Sequence, residues 1–345
     1  MSLTQTAYTS RQVIKYGGGG LIIFVILWAL ISAGYKAYRA MNPPYVAPTV
    51  KYGILPKIIF PEKSFEKKTF NFEFANDTIP KFSDQSKVYV LYRSNNTFLA
   101  LTNDTKTAGK MGFNGQPKET GTGIYEFKNE NLNQTLTINI FNGSFKMSYP
   151  YMSDQTLTNP DEMPSKEEAI SKASSFLKNA DKFSDDLEDG EKKVSYWQIQ
   201  TDGLKSVGSI AEANLIRVDF YRKNLDENFK IVSSTNEQSS ISVLVSGSDV
   251  AAKEIVEVNF KDINIDRESF STYPIKTVNQ AMEQLNAGDY WPVSDSVGGT
   301  TTIRKVYLAY FEPISLTNYI QPVFVFEGDN NFMAYVPAVT DQYLK

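Results

Sequence analysis

One stretch of the chain is hydrophobic without interruption. From Tyr16 to Tyr35 no residue is charged, and Leu21-Ile-Ile-Phe-Val-Ile-Leu-Trp-Ala-Leu-Ile31 is apolar on every side of a helix. At ~1.5 Å per residue a run of this length reaches about 30 Å, the thickness of a bilayer core. Arg11 and Lys15 precede it, Lys36 and Arg39 follow it, and Tyr16, Trp28 and Tyr35 bring aromatic rings to or near the two interfaces. The pattern predicts a transmembrane helix over 17–37 behind a cytoplasmic tail over 1–16. Ser32-Ala33-Gly34 also reads as a small-residue cleavage site, which would make the same run a signal peptide. Ala29, Ala33 and Ala37 repeat every four residues, as small residues do where membrane helices approach closely, although alanine is common enough there for chance to produce the spacing.

Beyond the helix the periodicity changes. Pro43, Pro44, Pro48, Pro56 and Pro61 favour an extended chain, so 38–68 is expected to be a proline-containing stalk. Thr69-Phe-Asn-Phe-Glu-Phe74 alternates with period two, and Lys87-Val-Tyr-Val-Leu-Tyr92 is rich in β-branched and aromatic residues, so both read as strands. A weak helical signal covers 102–111. Strands are expected at 123–127, 134–140 and 144–148, with Asn142-Gly143 as a two-residue hairpin turn. These elements close a β-rich α+β domain over 69–150, followed by Pro150, Pro160 and Pro164.

Two helix-then-strands units come next. Ser165-Lys-Glu-Glu168 is a capping box opening a helix to about Asn179, with strands expected at 194–200, 214–221, 229–234, 239–245 and 254–260. Thr277-Val-Asn-Gln280 is a second box. Its helix aligns Val278, Ala281, Met282 and Leu285 before Gly288, and strands follow at 303–311, 322–326 and 332–336. The units, 163–262 and 270–345, form a degenerate internal repeat. Ser165 and Thr277 should be equivalent N-caps, and Ile170 with Ala173 should face their sheet as Met282 with Leu285 face theirs. The fold class expected is α+β: one N-terminal transmembrane helix, then antiparallel-sheet domains.

Composition narrows the chemistry. The 345 residues leave room for two or three domains; the net charge is −4 and no window concentrates Lys and Arg, so nucleic acid is not an expected partner. Cysteine and histidine are both absent, which removes disulfides, thiolate metal sites and every His-dependent catalytic arrangement. No cofactor and no metal site are expected. Lys36, Arg39 and Lys51 slightly outnumber Arg11 and Lys15, so charge counting alone does not orient the helix. The Cys-free, Tyr/Asn/Thr-rich character of the large C-terminal part points to an extracytoplasmic location at a cell membrane.

A capped helix followed by Arg304-Lys-Val-Tyr-Leu-Ala-Tyr310, Ile320-Gln-Pro-Val-Phe-Val-Phe326 and Phe332-Met-Ala-Tyr335 resembles the last domain of YycI-type regulators. The resemblance covers roughly 163–345 together with the anchoring topology. It implies PepSY-like units in a single-pass bacterial regulatory protein that binds a partner, such as a sensor kinase, and it carries no catalytic residues.

Several candidate sites can be weighed on their residues. Asp181 to Glu191 is acidic around Gly190, but a calcium loop starting at Asp185 would need ligands where Leu187 and Tyr196 stand. Ser64-Phe-Glu-Lys67 and Ser175-Phe-Leu-Lys178 satisfy Ser-x-x-Lys without the accompanying motifs of penicillin-recognising enzymes, and Ser175 falls on a helix face opposite any evident pocket signal. Glycosidase chemistry would need two carboxyls at a separation that no spacing here establishes. Asn76, Asn95, Asn103, Asn133 and Asn142 begin Asn-x-Ser/Thr sequons, as an Asn- and Thr-rich segment produces by chance. Tyr290, Trp291, Tyr307, Tyr310 and Phe311 concentrate aromatic area that serves either the core or a partner, and the first four are the binding candidates. The expected function is a non-catalytic, membrane-anchored binding or regulatory protein whose partner is another membrane or envelope protein. The alternative is a structural subunit of an envelope or secretion assembly.

Overall fold

A computed structural model describes residues 3–41, 45–75, 78–92, 99–158, 162–226, 228–234, 239–261, 263–294, 298–313 and 317–345. The chain divides into two units, Met1–Pro48 and Thr49–Lys345. The first is dominated by one helix, α1 (Leu3–Met41), in which Val13–Arg39 is long and apolar enough to cross a membrane. Phe24, Leu27, Leu30 and Ile31 are all exposed, as a lipid-facing helix requires. The expected tail over 1–16 is helical from Leu3 onward, because nothing in it breaks a helix; α1 ends just before Pro43-Pro44, where the chain cannot continue one. Gly17 to Gly20 remain helical, although in water each would cost a helix about 1 kcal/mol relative to alanine.

The second unit runs, in chain order, through β1 (Thr69–Phe72), β2 (Gln85–Tyr92), α2 (Ala100–Lys110), β3 (Lys118–Gly121), β4 (Ile124–Asn129), β5 (Gln134–Asn139), β6 (Phe145–Ser148), α3 (Lys166–Asn179), α4 (Asp185–Glu188), β7 (Lys192–Gln200), β8 (Gly203–Val207), β9 (Leu215–Phe220), β10 (Ile231–Val232), β11 (Ile241–Ser246), α5 (Ala251–Glu254), β12 (Ile255–Phe260), β13 (Asn264–Pro274), α6 (Val278–Ala287), β14 (Trp291–Ser294), β15 (Thr300–Phe311), β16 (Tyr319–Gly328) and β17 (Met333–Pro337). These strands build two sheets. One is antiparallel throughout and ordered β3-β4-β5-β6-β12-β11-β9-β7-β8. The other is ordered β1-β15-β16-β17-β14, with β10 beside β15 and with β2 bridging β13 and β16. Its β1 and β10 run parallel to β15.

The chain is thus α+β with one N-terminal apolar helix and large antiparallel sheets, as the periodicity predicts. Alternation explains β5 and β6, whereas β9, β11 and β16 are buried on both faces. In β5, Gln134, Leu136 and Ile138 are buried while Thr135 and Thr137 are not, and in β6 Phe145 and Met147 are buried on the same side. The β5–β6 connection is wider than the two-residue turn expected at Asn142-Gly143. Asn142 Oδ1 accepts from Ser144 N at 3.0 Å, Gly143 takes φ 68, and pairing resumes only at Ile138–Phe145.

Both capping boxes form with the same geometry. Glu168 Oε2 accepts from Ser165 N at 2.8 Å and Ser165 Oγ from Glu168 N at 3.3 Å; Gln280 and Thr277 repeat those bonds at 2.8 and 3.3 Å. Counting from each cap, Ala169 matches Ala281, Ile170 matches Met282, and Ala173 matches Leu285, and every one of these packs on a core. Behind α3 the strands β7, β9, β11 and β12 lie side by side in chain order, with β8 outside β7. Behind α6, β14 instead crosses to pair with the last strand, β17.

Three boundary expectations need correction. Residues 69–150 do not form a domain of their own: β1 and β2 belong to the second sheet, whereas β3 to β6 extend the first by pairing β6 with β12. The apolar face of β4 to β6, with Phe127, Leu136, Ile138, Phe145 and Met147, is buried in the same core as Ala169, Val218, Val243 and Val258. The start expected for the second unit at 270 falls inside β13, whose polar sequence hides an eleven-residue strand. The segment expected as a stalk over 38–68 is helical to Met41, and from Thr49 it is laid along the body. There Leu55 N donates to Tyr343 O at 2.8 Å, Lys57 N donates to Lys345 O at 3.0 Å, and Leu55 is fully buried. The strand expected over 229–234 shortens to Ile231–Val232.

Candidate functional site

The four aromatic candidates do not converge on one surface; all are packed into the body, in three different clusters. Trp291 begins β14, is 7% exposed, lies parallel to Phe60 at 5.5 Å, and donates its indole N–H to Pro61 O at 2.8 Å. Tyr290 is buried against Phe65 and Phe70, on the core that α6 covers. Tyr307 shares Trp291's cluster and donates to Glu327 Oε1 at 2.7 Å; partial burial and that bond push its hydroxyl well above the usual phenol range.

Tyr310 is fully enclosed. Its hydroxyl donates to Asp226 Oδ2 at 2.8 Å, and burial and then the Asp226 charge push it far upward. Asp226 also receives Tyr89 Oη at 2.5 Å and Lys87 Nζ at 2.6 Å. Burial opposes its ionisation, but those donors outweigh it and hold the carboxyl below the ordinary range. This network ties the turn at Asp226 to β2 and β15 and leaves these groups engaged with one another.

Four carboxylates of the acidic segment over 181–191 meet cations. Asp181 pairs with Lys110, Asp186 with Arg267, Glu188 with Lys178 and Asp189 with Lys223. Lys178 therefore serves Glu188 instead of acting beside Ser175, and Ser64 is an exposed residue of the segment laid along the body. Asn103 lies on α2, and Asn133 and Asn142 lie in turns; Asn76 and Asn95 fall outside the described residues.

A different place has the shape of a binding site. A cleft of about 390 Å³ opens between α3, the C-terminal end of α2, the β4–β5 turn and the α5–β12 junction. Its floor includes Met147 and Ile255, both buried, with Phe176 and Leu132 on the walls. From α3, Ser171, Ser175 and Asn179 line it, which corrects the expectation that Ser175 faces away from any pocket. Across the cleft Lys172 Nζ meets Glu254 Oε1 at 2.6 Å, while Gln134 Nε2 donates to Ala252 O at 3.0 Å and fixes the far wall. A polar depression of about 630 Å³ between β3, β4 and the turn after α2 adjoins it, sharing Gly112 and Asn129. The one sequence signal for the cleft is the four-residue spacing of small polar side chains along α3, beside the stripe Ala169, Ala173, Leu177 that faces the sheet.

No family model matches the chain, and no curated protein does. Among solved structures, an uncharacterized protein from Eubacterium rectale ATCC 33656 aligns at TM-score 0.42 with 14% identity, over 79% of this chain and 89% of that one. The Bacillus megaterium YpeB C-terminal domain aligns at TM-score 0.32, also with 14% identity, over 72% of this chain and 95% of that domain. Both superpositions are too loose to carry an argument about fold or function.

Proposed function

We propose that this chain is a membrane-anchored, extracytoplasmic binding protein that regulates or holds another membrane or envelope protein and performs no catalysis of its own. The observation that supports this most directly is α1: an apolar helix with every described core-length side chain open to its surroundings, followed within a few residues by a separately packed body. A helix of that kind has no stable place in water. The exported character of the composition supports placing the body outside. The engaged state of the titratable clusters, each carboxylate of the acidic segment named above meeting a cation, favours binding over acid–base chemistry.

The test has two parts. Protease added to intact spheroplasts of a bacterium expressing the chain should degrade residues from about 45 onward and spare the segment before α1's apolar run. Detergent extraction of the full-length chain, followed by mass spectrometry, should then recover a membrane or envelope protein. Protection of the body would reverse the topology. Recovery in a fixed-stoichiometry ring or filament would favour a structural subunit instead.

A further inference from the structure

We propose that the α3 cleft holds an extended, uncharged polypeptide segment of the partner, whose main chain hydrogen-bonds along Ser171, Ser175 and Asn179 and whose apolar side chain enters the Met147–Ile255 floor. This inference rests on the binding-protein reading and names the class of ligand.

Spacing is the first argument. Residues four apart on a helix are separated by ~6.0 Å along its axis. In an extended chain, residues two apart, which present their main-chain groups to the same side, are ~6.6 Å apart. A segment lying along α3 therefore offers N–H and C=O groups nearly in step with the three side chains. The mismatch accumulates to only about 1 Å over two intervals, so roughly five residues can be read before register is lost.

The second argument is hydrogen-bonding capacity. Ser171, Ser175 and Asn179 are exposed, and among the described residues their side chains have no partner within the protein. Short hydroxyl and amide groups both donate and accept, which suits an amide main chain. Lys172 and Glu254 are the charged residues of the lining and are paired with each other, so the cleft selects no net charge. Its floor combines two methionines, Met111 and Met147, with Ile255, a surface that adapts to apolar side chains of different shape. A saccharide would be expected to stack on a Trp or Tyr face, and neither residue lines the cleft.

The test uses the full-length chain in lipid nanodiscs. The probe is a fluorescein-labelled heptapeptide alternating threonine and leucine and blocked at both ends, with binding read by anisotropy. Ser175→Trp, which fills the cleft, should weaken binding at least tenfold, and the double variant S171A/S175A should weaken it about tenfold. N-methylation of alternate amides should have an effect of the same size, whereas Ser206→Trp on the exposed edge strand β8 should have none. An unchanged unfolding midpoint for each variant separates loss of the cleft from loss of the fold. The proposal is overturned if the peptide does not bind, if Ser175→Trp binds it as well as the parent chain, or if N,N′-diacetylchitobiose binds in its place. Co-purification keeps the two readings apart. If Ser175→Trp still recovers the envelope partner while peptide binding is absent from every form, the cleft assignment falls and the binding-protein reading stands.

Discussion

Helices α3 and α6 are capped by the same reciprocal hydrogen bonds, yet α6 is walled in by the chain's own N-terminal segment whereas α3 borders an open cleft. Beside α6, Phe65 packs at 5.0 Å from Tyr290, Phe70 at 5.3 Å from Phe332, and Lys67 lies against Gly288, the left-handed residue that ends the helix. Among the described residues no such strap lines the cleft beside α3; short polar side chains line the opening. The difference separates two uses of similar local sequence. Around α6 aromatic residues are spent on closing a core, and around α3 the surface is left able to meet something else. The aromatic cluster that looks most like a binding surface in sequence is therefore interior, and the serines that look incidental are accessible.

This contrast can be broken most forcefully at Trp291. Trp291→Ala removes the ring packed on Phe60 and the bond to Pro61 O, and should cost about 3–5 kcal/mol in urea unfolding followed by circular dichroism. Ser175→Ala should change stability by less than ~0.5 kcal/mol in the same experiment. Equal small effects at both positions would show that Trp291 is not a core residue.

The junction between the two sheets is the next test. Arg222, just past β9, meets Glu312, just past β15, at 3.3 Å with both side chains nearly buried, and Ser240 Oγ donates to the same carboxylate at 2.9 Å. Glu312→Leu removes the carboxylate that the buried Arg222 guanidinium meets and should cost about 3 kcal/mol. R222M/E312L should recover most of that loss, because an apolar pair of similar volume needs no compensating charge. A double variant as unstable as the single one would mean that the ion pair contributes net stability.

Smaller effects sharpen the comparison of the helices. Ser165→Ala and Thr277→Ala should each cost ~1 kcal/mol, since each removes one acceptor for an otherwise unpaired helix N–H. If the geometry is as similar as the distances indicate, the two losses agree within a few tenths of a kcal/mol and add in the double variant. A large difference would mean that one box is formed at the expense of local strain.

The smallest expected effect is a change in pH slope. Asp226 is held below the ordinary carboxyl range in the folded protein, so its contribution to stability is complete above the unfolded value near 3.9 and is lost as pH falls through that value toward the folded one. Asp226→Asn should therefore be less stable at pH 7 and lose less stability than the parent between pH 5 and pH 3. Parallel curves would exclude Asp226 as a contributor to acid unfolding.

What the sequence determined by itself is everything set within a few residues of chain. A twenty-residue uncharged run sets a membrane-spanning length, Ser165 with Glu168 and Thr277 with Gln280 set two helix starts, and the alternation in Thr69–Phe74 or Gln134–Ile138 sets which side chains share a face. Tertiary structure alone decided which sheet each strand joins. Phe145–Ser148 pairs with Glu257–Phe260 more than a hundred residues away, and Thr69–Phe72 pairs with Thr300–Ile303, because main-chain hydrogen bonding is the same for every residue and partner choice depends on the faces that must be buried together. It also decided that the proline-containing segment lies against Trp291 and Phe311, so that aromatic area which in sequence could serve core or partner alike is consumed inside. The cleft beside α3 belongs to the same class. Its walls come from four segments distant in sequence, and only their packing turns Ser171, Ser175 and Asn179 from an ordinary polar helix face into the lining of a site.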